Sequence, residues 1–153
     1  MAHSLNLTLK IGQDADTQAK LQQFIAIFPT VQGKIADAMK ASHILHFARI
    51  VLIGTEYLQV LTEYDGDRKE YTEFFRQQLP DVFKLVFALA EGAPPWSQLQ
   101  DPDAFFAFTK GLDIKPLGIS LSADPDDRFV FSAYGDKSVK EIQAALASTE
   151  PIS

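Results

Sequence analysis

Cysteine is absent from the chain, and with it go disulfides, thiolate nucleophiles, zinc–thiolate sites and iron–sulfur clusters. Histidine is scarce: only His3, His43 and His46 occur. They do not form a spaced metal-binding set, because His43 and His46, three apart on an extended chain, point to opposite faces. No apolar run approaches the ~18 residues of a membrane-spanning helix. The opening MAHSLNLTLKIG lacks a basic start followed by a long apolar stretch, so no secretory leader is read and a cytoplasmic protein is expected. Positive charge is also short, with 14 Lys and Arg against 20 Asp and Glu. A nucleic-acid or anionic-membrane partner requires a basic stripe, and the densest cationic cluster, Arg68 and Lys69, is flanked by acids. Neither partner is expected. There is no glycine-rich phosphate loop and no serine-centred nucleophile motif. The DPDD run at 124–127 lacks the spaced ligands and closing glutamate of an EF-hand and reads as a solvated turn. No metal and no cofactor is expected.

What is present suits a single α+β domain over residues 1–153. At 46% hydrophobic and 22% charged residues the composition is that of a globular protein with a real core. LNLTLKI at 5–11 alternates Leu5, Leu7, Leu9 and Ile11 against Asn6, Thr8 and Lys10, the period of a strand with one buried face. Asp14 or Asp16 can cap a following helix through Leu21, Phe24, Ile25 and Phe28, which Pro29 is expected to break or kink before a second stretch carrying Val31, Ile35, Ala38 and Met39. A hairpin over 46–64 comes next. A helix from Arg68 follows it, kinked at Pro80 and stopped near Gly92. Asp101 and Pro102 open a short helix through Phe105 to Gly111. Two short strands are expected at 117–123 and 128–134, and Ser138 with Glu141 forms a capping-box pattern for a last helix. Strand, helix, two strands, helices, two strands and helix predict a ferredoxin-like antiparallel sheet with helices packed on one face. Another α+β sandwich with a different strand order is the alternative.

The hairpin carries the functional question. A tight turn at Gly54–Glu56 is read as pairing odd residues of the first strand with even residues of the second. One face then holds Leu45, Phe47, Arg49, Val51, Ile53, Leu58, Val60, Thr62 and Tyr64, and is taken as the core side. The other holds Ile44, His46, Ala48, Ile50, Leu52, Tyr57, Gln59, Leu61 and Glu63, far too apolar for a solvated sheet. A second copy, the 101–111 helix or a bound ligand must cover it, and a homodimer through this face is expected.

HFARIVLI followed by LTEYDGD resembles the signature of an uncharacterised bacterial family with ferredoxin-like or dimeric α+β-barrel folds, in which Phe-Ala-Arg lies on one strand and Tyr-Asp-Gly ends the next. The resemblance spans residues 43–92. It implies sheet-to-sheet pairing of two copies, or a small-molecule pocket between helices and sheet, with no assigned chemistry. A further likeness, to dye-decolorising peroxidases, keeps Asp65 and Gly66 but has Thr62 where that family's leading glycine belongs. No histidine follows His46 to act as the proximal haem ligand. Haem is therefore not expected.

His46 and Glu63 share a face in this register, and a histidine whose tautomer is set by a carboxylate can act as a general base. The bland alternative is a cross-strand hydrogen bond at an interface. Tyr57 and Gln59 on the same face can orient a ligand. Phe105, in the AFFAF run, can wall an apolar pocket whose rim is the EGAPPWSQLQ connector. Arg49, assigned to the core side, would need a carboxylate partner, with Asp65 or Asp67 nearest; its functional reading is anion binding. Two functions follow: a dimeric domain holding a small hydrophobic molecule, with His46 and Glu63 available for acid–base chemistry, or a non-catalytic module whose apolar sheet face dimerises or docks a partner. Whether the protein is an enzyme stays open at this level.

Overall fold

Leu5, Leu7 and Leu9 are buried along β1 (His3–Lys10), and Ile11 just beyond it is fully enclosed. The two-residue period of the sequence is thus the period of the core face. The computed structural model describes residues 2–119 and 129–149. After β1, Asp14 caps α1 (Ala15–Ser42) by accepting the Thr17 N–H at 2.9 Å and the Thr17 hydroxyl at 2.7 Å. These bonds, the hydroxyl's first, hold the Asp14 carboxyl below its ordinary range. The helix runs 28 residues without interruption, with Pro29 inside it. The expected break does not occur because Pro29 and Ile25, whose carbonyl loses its intrahelical donor, are both exposed, and water can take that bond. Leu21, Phe24, Phe28, Val31, Ile35 and Ala38 form the stripe that packs on the core.

β2 (Leu45–Ile53) and β3 (Tyr57–Tyr64) form the hairpin, and the sheet order is β1-β3-β2 with both pairings antiparallel. Ile53 faces Tyr57 across a three-residue turn that begins at Gly54, φ 55°. An odd-numbered turn joins residues of like parity, so Arg49 faces Leu61 and Ile50 faces Val60. This corrects the odd-with-even reading. Ala48, Ile50, Leu52, Leu58 and Val60 pack on the helices, while Phe47, Arg49, Val51, Tyr57, Gln59 and Glu63 lie on the open face. A bulge between Leu45 and Phe47 inserts His46 and returns Leu45 to the buried side opposite Tyr64.

Asp67 caps α2 (Arg68–Gln78) through the Glu70 N–H at 3.0 Å. Pro80 begins a separate α3 (Pro80–Phe87) after Leu79, so the kink expected there is a full helix break. α2 delivers Tyr71, whose ring stacks on Tyr64 at 4.3 Å and whose hydroxyl bonds the buried Thr62 hydroxyl at 2.8 Å. Burial pushes the Tyr71 phenol well above its usual range. The short α4 (Trp96–Leu99) precedes α5 (Pro102–Leu112), which Asp101 caps through the Ala104 N–H. Phe105 of α5 is 1% exposed, against Phe83, Phe87 and Trp96 at 5.2, 5.6 and 6.4 Å between ring centroids. It is a core residue, not the wall of a ligand pocket.

The outer edge of β1 is closed by residues 113–114. Asp113 bridges Leu7, the Ile114 N–H donates to the Asn6 carbonyl at 2.9 Å, and Asn6 Nδ2 donates to the Ile114 carbonyl at 3.0 Å. Asp113 accepts the Asn6 N–H on one oxygen and Arg68 Nη2 on the other, each at 2.8 Å. Of the two later strands expected, residues 117–119 and 129–134 carry no strand, and 120–128, with the DPDD run, lie outside the described residues. α6 (Val139–Thr149) starts with the expected capping box: Ser138 N–H to Glu141 Oε2 at 2.8 Å and Glu141 N–H to Ser138 Oγ at 3.2 Å. No helix among the described residues is long and apolar enough to cross a membrane.

Replacing Asp113 by alanine leaves Arg68 and the Asn6 N–H without their shared acceptor. It should cost about 2–3 kcal/mol in urea unfolding, whereas Lys69→Ala, which removes an exposed pair with Asp103, should stay within about 0.5 kcal/mol. A second test uses pH. Arg76 Nε and Nη2 grip both Glu73 oxygens at 2.7 Å, and this bond foremost lowers the Glu73 carboxyl from its ordinary range. A depressed folded-state value stabilises above the unfolded value and is lost as pH falls through the folded one. Wild type should therefore exceed Glu73→Gln by at most about 1 kcal/mol at pH 7, and the gap should vanish as pH falls below the carboxylate range.

Candidate functional site

The bulge that inserts His46 places its imidazole at the end of the hairpin, beside the exit of β3. Gly66, at φ 88°, takes the left-handed conformation there and turns the chain into α2. Just before it, the Asp65 N–H donates to the Ile44 carbonyl at 2.8 Å. The Asp65 carboxylate is thereby held next to His46: Oδ1 meets His46 Nε2 at 2.8 Å, and Oδ2 accepts the N–H of Val139, first residue of α6, at 2.7 Å. The His46 and Asp65 side chains are 10% and 15% exposed. An ionised carboxylate only accepts, so Nε2 carries the proton of this bond, and in the corresponding neutral tautomer Nδ1 is the acceptor. Nδ1 has no hydrogen-bond partner among the described residues.

Two open grooves meet at this imidazole, sharing His46, Phe47 and Tyr134. One, of about 490 Å³, lies between the open sheet face at Arg49, Leu61 and Glu63 and residues 130–134. The other, of about 360 Å³, lies between the end of α1 at Met39, the start of β2 at Leu45, and the Val139, Ile142 and Leu146 face of α6. His43 Nδ1 and Gln143 Oε1, 2.8 Å apart, tie α6 to the end of α1.

The residues singled out from sequence separate here. His46 and Glu63 line the larger groove together, but the carboxylate that holds the histidine is Asp65. Arg49 is exposed on the open face with no ion pair among the described residues. Its expected partners are engaged elsewhere, Asp65 with His46 and Val139, Asp67 with the start of α2. Tyr57 and Gln59 lie further along the same face, where Gln59 Nε2 donates to Thr8 Oγ1 at 3.1 Å. Phe105 is remote, in the core. The role of Asp65 and the α6 wall were missed. Asp65 follows the last strand residue directly, so it lies level with the insertion at His46, but only the bulge turns the two side chains together. Among the described residues no group of three or more His, Asp or Glu side chains is placed to hold a metal ion.

No family model, curated protein or solved structure matches the chain.

Asp65→Ala strands the His46 Nε2–H and the Val139 N–H in a largely buried place, and should cost about 2–3 kcal/mol. Amide exchange at 139–143 should accelerate with it. Glu63→Ala should change stability by less than about 0.5 kcal/mol; equal losses from both would show that the pairing is not His46 with Asp65.

Proposed function

We propose that this protein binds a small, mostly apolar molecule in the groove between the end of α1, the start of β2 and α6, with the clamped His46 supplying a directional polar contact. The observation that carries this reading is the fixed imidazole: a histidine clamped through Nε2 at 2.8 Å, Nδ1 free of protein partners among the described residues, in the wall of a mostly apolar groove that Lys40 and Gln143 also line. A volume of about 360 Å³ falls within the range of small-ligand sites, and an apolar lining with few convergent polar groups is their usual composition. The acid–base reading passes from His46 and Glu63 to His46 and Asp65. An Asp-held neutral imidazole can take a proton through Nδ1 from an acidic group on the bound molecule. The fold proposed with it is ferredoxin-like, a reading supported by the order β1-β3-β2 and by the bridge of Asp113 to the outer edge of β1.

A second reading, self-association through the open sheet face, has its own support. Phe47 and Ile53 on that face are 65% and 49% exposed, more apolar surface than an open antiparallel face ordinarily shows to water. The two readings are compatible, because the groove against α6 lies beside the open face rather than on it.

The ligand reading is tested with the fluorophore 1-anilinonaphthalene-8-sulfonate, an apolar molecule with one anionic group. Saturable binding to wild type should weaken about tenfold in Leu146→Glu, a change on the exposed rim of the α6 groove, and several-fold in His46→Gln, while Phe131→Ser, on the other groove, should shift it less than twofold. A probe that fails to saturate, or that binds Leu146→Glu as it binds wild type, overturns the reading.

A further inference from the structure

We infer that the open face of the β2–β3 hairpin joins two copies of this chain, and that Arg49 of each copy pairs with Glu63 of the partner subunit. The inference rests on the self-association reading above and names the contact that specifies it. Two features of the face carry it. The first is the confinement of the apolar patch. On the β1 side of the same face Asn6 is tied to Ile114, Thr8 to Gln59 and Lys10 to Glu91, so that side is polar and satisfied. The hairpin side instead presents Phe47, Val51, Ile53, Tyr57 and Leu61. A nine-residue strand makes this face about 30 Å long at a rise of about 3.4 Å per residue. With two strands and their side chains it offers on the order of 500 Å² per protomer, or about 1,000 Å² in all, the size at which a specific interface becomes stable.

The second feature is charge. Arg49 and Glu63 are the two charged side chains of the hairpin's open face, and neither has an ion-pair partner among the described residues. Opposite charges on one patch are what a two-fold interface can satisfy reciprocally, since each residue contributes to two equivalent contacts. A two-fold axis parallel to the strands lays β2 of one protomer over β3 of its partner, an aligned sheet packing. The register, Phe47 with Glu63 and Arg49 with Leu61, then offsets Arg49 from Glu63 of the partner subunit by two residues along the strands, and with the spacing of packed sheets the two backbones stand about 12 Å apart, a span that extended arginine and glutamate side chains bridge together. Partners other than a second copy have no such reciprocal feature to recommend them.

The test is sedimentation velocity at about 50 µM protein in low salt, on wild type and on Arg49→Glu, Glu63→Arg, the double variant and Phe47→Glu, with circular dichroism confirming each fold. Wild type should be dimeric. Each single charge reversal should raise the dissociation constant at least tenfold, because it sets like charges together twice. An equimolar mixture of the two single variants should dimerise again, as should the double variant, because both then restore two opposite-charge contacts. A monomeric wild type overturns the pairing and the self-association reading together. A dimer broken by Phe47→Glu but indifferent to the charge reversals, or one that the mixture fails to restore, overturns the Arg49–Glu63 pairing and leaves self-association through this face standing. A dimer indifferent to Phe47→Glu as well removes the face from the interface.

Discussion

The carboxylate of Asp65 takes one hydrogen bond from His46 and one from the first amide of α6, and so joins three parts of the chain that are far apart in sequence. A carboxylate that accepts from an imidazole and from a helix N-terminus satisfies two donors that would otherwise be stranded, and its charge lies favourably at the positive end of the helix. α6 is held where its apolar face walls a groove with the end of α1 and the start of β2. The imidazole, gripped on one nitrogen, presents the other in a set direction. Structure and candidate chemistry thus depend on the same two bonds, and a change at Asp65 acts on both.

The sheet is unequal on its two sides. One face, through Leu5, Leu7, Leu9, Leu58, Tyr64 and the half-buried Ile50, belongs to a continuous core with α1, α2, α3 and α5. The other divides lengthwise. Its β1 half is hydrogen-bonded and polar, and its hairpin half is apolar with one arginine and one glutamate. At the β1 edge Asp113 and Ile114, anchored by Arg68, satisfy the Asn6 N–H and carbonyl, groups that would otherwise invite another strand. The hairpin face differs from the α6 groove in composition: apolar with one arginine and one glutamate in one case, mostly apolar with an oriented imidazole in the other.

Much of the architecture was legible in the sequence because it rests on local rules. Alternation marked β1, caps at Asp14 or Asp16, Asp101 and Ser138 marked helix starts, and the Ser138–Glu141 box formed as expected. Pro29 misled because the cost of a missing N–H depends on whether the orphaned carbonyl faces water, which is a property of the packed helix. Arg49 misled through parity: the three-residue turn joins residues of like parity, which leaves the β3 side chains on the expected faces and moves those of β2 from Phe47 to Ile53 to the opposite one. Phe105 belonged to a run of aromatics that looked surplus, and only the packing against Phe83, Phe87 and Trp96 shows the core using it.

By itself the sequence determined the first strand, the hairpin, the starts of most helices and the exclusion of cysteine chemistry. These follow from periodicity, capping and composition, all of which act over a few residues. The tertiary structure alone decided which hairpin face is buried, that Asp65 rather than Glu63 holds His46, and that α6, more than seventy residues away along the chain, completes the site. Those outcomes depend on a turn length and a single inserted residue, whose effects are carried along the whole ladder by the two-residue period of a strand, and on a contact that exists only once distant segments have packed.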